Sequence, residues 1–154
     1  MRTPTLGYHD DTQIEKREIA QTQLKEAIAL FLDEKFLCAI TLTGASEEVL
    51  ARLLNTVSEQ SVVEESVDAI LRLREATGLV IMENRPKSKI FNAWNNARNT
   101  IKHHDEKSDE TVTINLLDEA YWIIKRALAN ASKLGVPISN EGDFENWCIV
   151  ELHL

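Results

Sequence analysis

The residues with the most to offer chemically lie between Glu83 and Lys107, where six bases (Arg85, Lys87, Lys89, Arg98, Lys102 and Lys107) stand against three acids (Glu83, Asp105 and Glu106). That segment carries +3 in a chain whose total is −8, which leaves −11 for the rest. A positive island in a negative field concentrates attraction at one place and suits a phosphate, with arginine favoured because its planar fork grips two oxygens at once. On a helix, which turns about 100° per residue, Ile90, Trp94, Ala97 and Ile101 fall in one narrow apolar stripe. Asn92, Asn95, Asn96, Asn99 and His103 project together on the far side, and Arg98 lies between the two faces. An ordinary solvated helix face is filled with Glu, Lys, Gln and Arg, all better helix formers than Asn. A row of neutral carboxamides suits a surface that meets another surface or a ligand, and a face that meets its own copy makes an isologous dimer.

Other reactive side chains offer less. His103-His104-Asp105-Glu106 contains four metal-ligating types, but neighbours on a helix point about 100° apart, and His9 and His153 lie near the ends, so no metal and no cofactor is expected. His104 projects near the apolar stripe and reads as a capping or packing residue. Cys38 and Cys148 sit in apolar stretches without a basic neighbour and read as buried free thiols. Trp94, Trp122, Trp147, Phe31, Phe91 and Tyr121 fall mostly on apolar stripes and read as core.

The elements that position these residues follow from composition and period. With 154 residues, 44% of them hydrophobic, and only 5 Gly and 3 Pro, the chain has material for one core and few breakers. The excess of 25 acids over 17 bases argues against coating nucleic acid or an anionic membrane through the whole surface. No window approaches the roughly 18 uninterrupted apolar residues of a membrane helix, and no signal-like stretch opens the N-terminus, so a cytoplasmic protein without membrane contact is expected.

A first helix, capped by Asp10 or Asp11, runs through Ile14, Ile19, Leu24, Ala27, Ile28 and Phe31. A second carries Phe36, Leu37, Ile40, Val49, Leu50, Leu53 and Leu54, continuous through the small residues 41–46, and a third spans Ser61 to Arg74 with Gly78 as its stop. Pro86 opens the fourth, which carries Arg98 and His103. After a solvated loop over 104–110 comes a long stripe from Leu117 to Ala131, ending at Gly135, and then a short docking helix over 143–154 anchored by Phe144, Trp147, Ile149 and Val150. The sum is an all-α chain: a flexible tail over 1–10 and a single domain over 11–154, a bundle of four to six helices sharing one core.

Arg98-Asn99-Thr100-Ile101-Lys102-His103 resembles the signature of the HEPN (higher eukaryotes and prokaryotes nucleotide-binding) superfamily, an Arg followed after four to six residues by His, often with a polar residue such as Asn after the Arg. The context is similar too, since those domains are small helical bundles with the motif late in the chain, at a helix end before a loop and a long final helix. Ala39 to Leu50 looks like the small-residue helix common in such bundles. The resemblance implies a homodimer in which Arg98 and His103 of two copies meet in a composite site for RNA. Active members are metal-independent ribonucleases. By that resemblance the substrate's own 2′-OH would attack the adjacent phosphate, His103 would act as general base or acid, Arg98 would bind the phosphorane oxygens and Asn99 would orient the backbone or the imidazole. The products are a 2′,3′-cyclic phosphate and a 5′-OH, and Asn92, Asn95, Asn96 and Lys102 would line the RNA or the interface.

The acidic total charge favours a second function class, because RNA must approach a repelling body. In that reading the chain is a non-catalytic bundle that binds a partner protein or nucleotide, for example as the neutralising or scaffolding half of a two-gene system.

Overall fold

The computed structural model describes Gly7, residues 11–103 and residues 110–153. Apart from Gly7, the tail expected over 1–10 lies outside the described residues, as do His104 and the loop as far as residue 109. The described residues form seven α-helices and no strand. The expected all-α class is therefore observed, and the count exceeds the expected four to six because the fourth helix is broken in two.

α1 (Lys16–Leu32) buries Ala20, Leu24, Ala27, Ile28 and Phe31, the three-to-four-residue rhythm of one apolar stripe. It starts later than the acid-capped helix expected from Asp10 or Asp11, with Glu15 before its first turn and no side-chain cap. Glu34 takes a left-handed conformation (φ 60°) and Lys35 N–H bonds back to Leu30 O, so the chain reverses in three residues. α2 (Phe36–Thr56) then returns antiparallel against α1 and runs unbroken through Gly44. Its small residues allow close approach: the buried Ser46 hydroxyl donates to Ala20 O on α1 at 2.7 Å.

α3 (Val62–Thr77) begins at a capping box in which the Ser61 hydroxyl accepts from Glu64 N–H while the Glu64 carboxylate accepts from Ser61 N–H. It ends at Gly78, whose positive φ of 66° meets the expected stop. α4 (Lys87–Trp94) and α5 (Asn96–Lys102) replace the single helix expected after Pro86. α6 (Leu116–Lys133), capped by Asn115, buries Ala120, Ile123, Ile124, Ala127, Leu128, Asn130 and Ala131. α7 (Glu141–Leu152) docks through Phe144 and Cys148.

α1, α2, α6 and α7 share the main core, closed at one end by edge-on contacts of Phe31 with Phe36, Phe144 and Trp147. α3 and α4 form a smaller cluster around Val63, Val67 and Ile90. Asn130 on α6 joins the two: its Oδ1 accepts Val62 N–H at 2.9 Å, satisfying one of the free donors that open α3. Three apolar expectations are corrected. Cys38 is exposed, while Cys148 is buried as a free thiol. Ile149 and Val150 face solvent because α7 covers the core with one narrow stripe only. Trp122, on the outer side of α6, is 60% exposed.

Candidate functional site

Asn95 breaks the helix that carries the Arg98 motif. Its Nδ2 bonds to Phe91 O, competing with the backbone ladder, and its backbone sits at φ −102°, ψ 2°. Trp94 O, the carbonyl that an unbroken helix would offer to Arg98 N–H, instead accepts from Arg126 Nη1 on α6 at 2.8 Å. The break turns Asn95 inward, where it is 4% exposed, so it is not part of the outer asparagine face. Asn92, Asn96 and Asn99 remain exposed.

Arg98 does not project toward solvent. Its side chain runs across Gly44 of α2, and a β-carbon built there would lie 2.6 Å from Cδ and 2.7 Å from Cγ of the arginine. The guanidinium reaches Glu47 Oε2 at 3.0 Å, and the two side chains are 17% and 5% exposed. Gly44 and Glu47, three residues apart, share the face of α2 turned to α5: one provides the track, the other the counter-charge. A small cleft of about 140 Å³ beside this pair is bounded by Thr41, Gly44, Glu48, Arg98, Ile101 and Lys102. Lys102 Nζ lies 3.9 Å from Glu48 Oε2. The hydrogen bond from Arg52, with Lys102 and Arg98 nearby, holds the Glu48 carboxyl below its usual range.

His103 closes α5 as an exposed residue in extended conformation, its N–H bonded to Asn99 O at 3.0 Å. Among the described residues, no hydrogen bond joins its imidazole to Arg98, Asn99 or Lys102. Arg98 is therefore drawn into α2, while His103, Asn99 and Lys102 stay on the surface. The positive island is also largely answered by carboxylates: Arg85 pairs with Glu83, Lys87 with Asp68, Arg98 with Glu47, and Lys102 lies near Glu48. Lys107 falls outside the described residues, which leaves Lys89 as the described base of that segment without an ion pair.

Glu47, Glu48 and Arg126 were not singled out by the sequence reading. The signal that marks Glu47 is an acid following the small residues Thr43, Gly44, Ala45 and Ser46 with no base four residues on, whereas Glu48 has Arg52 at that spacing. Arg126 interrupts the apolar stripe of α6, and burial pulls its pKa down while the group remains a cation. Among the described residues no three His, Cys, Asp or Glu side chains come together as metal ligands, and no helix is long and apolar enough to cross a membrane. Compared with known proteins, the chain matches no family model, no curated protein and no solved structure.

Proposed function

We propose that the chain is a HEPN-like helical bundle that acts by binding a protein, in the first instance a second copy of itself, and does not cleave RNA. The observation that carries this reading is the buried Arg98–Glu47 pair. A phosphorane would need the guanidinium free to bind a new anion, and here a buried carboxylate already holds it through Nη1. Displacing Glu47 would strand a buried charge, which costs about 3–5 kcal/mol. The short helix ending at His103, ahead of the long α6, supports the likeness in architecture. The exposed carboxamides of Asn92, Asn96 and Asn99 supply neutral donors and acceptors, which are inexpensive to desolvate when they meet their own copies.

The test has two measurements. Purified full-length protein is incubated with unstructured RNA in the absence of metal, beside His103→Ala, a change at an exposed position. No cleavage is expected from either protein; cleavage by wild type that His103→Ala abolishes would replace this reading with the ribonuclease one. Sedimentation then gives the mass of wild type and of Asn96→Arg/Asn99→Arg. A dimer that the double substitution dissociates is expected, and a wild-type monomer at high concentration overturns the self-association.

A further inference from the structure

On the far side of the α4–α5 break, between α6 and the α3–α4 pair, lies a cavity of about 570 Å³ bounded by Ala93, Trp94, Glu119, Trp122, Lys125 and Arg126. That volume falls among small-molecule sites. Its charges are not balanced pair by pair. Lys125 is held by Glu145 of α7 at 2.9 Å, and Glu47, the carboxylate buried nearby, is taken by Arg98. Arg126 spends Nη1 on Trp94 O, while its Nε is buried without an acceptor. Among the described residues no carboxylate lies in ion-pair contact with it. Nε is shut off from the cavity, so an anion would meet this cation at Nη2, which is not buried and has no partner among the described residues, and a largely desolvated guanidinium without a contacting carboxylate is stabilised by such an anion. Two of the cavity's walls are indoles, and Trp122 stays largely exposed when most of α6 is covered. Exposed aromatic surface beside a cation marks a site for a flat ligand. Glu119 bounds the same cavity and opposes a doubly charged group, so a monoanion is preferred to a phosphate monoester.

We propose that this cavity binds a small aromatic carboxylate, with the carboxylate on Arg126 and the ring against Trp94 and Trp122. The site is separate from the asparagine face and independent of the proposal made for it. Indole-3-acetate and 1-naphthoate, titrated into the full chain by calorimetry, are the probes, with indole-3-acetamide as the neutral control. Saturable one-to-one binding of a carboxylate is expected, weaker by about tenfold or more for the amide because a charge-assisted hydrogen bond is lost. Trp122→Ala should weaken binding, and Ala93→Trp, which fills the cavity from an exposed position, should abolish it. Both positions are exposed, so the test does not depend on whether Arg126→Met folds; where it folds, it should bind the acid no better than the amide. No saturable binding of either carboxylate at millimolar concentration, equal affinity for the amide, or unchanged binding by Ala93→Trp overturns the proposal.

Discussion

Replacing Gly44 by Ala should destabilise the protein, although the same change in the interior of an exposed helix stabilises by about 1 kcal/mol. The new β-carbon would stand 2.6 Å from Arg98 Cδ and 2.7 Å from Cγ, far inside the roughly 3.5–4.0 Å at which carbon atoms rest against each other. The arginine must leave its track across α2, and with it goes the 3.0 Å contact to Glu47. What remains is a carboxylate with 5% of its side chain exposed and no cation beside it. Breaking such a pair costs about 3–5 kcal/mol, from which the helix gain subtracts about 1, so a loss of about 2–4 kcal/mol is expected. For a chain of this size 3 kcal/mol corresponds to a fall in Tm of roughly 6–12 °C. Urea unfolding followed by circular dichroism measures it, with an unchanged m value showing that only stability moved. In an Arg98→Ala/Glu47→Gln background the obstruction and the stranded charge are both gone, and Gly44→Ala should there stabilise by about 1 kcal/mol. Equal or greater stability of the single variant, or the same loss in both backgrounds, would refute the idea that Gly44 exists to pass Arg98.

Asn130→Ala removes the acceptor of Val62 N–H and should cost about 1–3 kcal/mol in urea unfolding, with α3 the first element to lose amide protection in hydrogen exchange. A disulfide reagent at neutral pH should titrate one thiol in the native protein, Cys38, and the second only on unfolding, because Cys148 is buried and burial, with Glu145 nearby, pushes its pKa up. The Glu48 carboxyl is held below its ordinary value of 4.5, so its share of stability is present above that pH and is lost as the pH falls through the lower folded-state value. Glu48→Gln should therefore flatten the acid side of the stability profile and leave the profile above pH 6 parallel to wild type.

The helices were legible wherever local chemistry decides them. Ser61 with Glu64, and Gly78, mark the ends of α3 through bonds made within a few residues, and the apolar rhythms of α1 and α6 need no partner to be seen. The start of α1 was misplaced because an acid at Asp10 or Asp11 is a cap only where the following residues commit to the helix, and the apolar stripe gains its first buried contact at Ala20. Trp122 and Cys38 were misjudged because hydrophobic type does not reveal whether a neighbour exists to cover it.

The site was legible in its residues and illegible in its charge. The count of +3 between Glu83 and Lys107 treats neighbours in sequence as neighbours in space. In the fold, Arg98 and its counter-ion Glu47 are 51 positions apart, and what joins them is the missing side chain of Gly44. The break at Asn95 depends equally on distant chemistry. Asn95 can bond back to Phe91 O in any helix, but the Trp94 carbonyl leaves the helical ladder at low cost because Arg126, 32 residues on, donates to it. The same guanidinium thus caps α4 through Nη1 and borders the cavity. An apolar residue at position 126 would leave the Trp94 carbonyl without its side-chain donor and remove the cation from the cavity in one substitution.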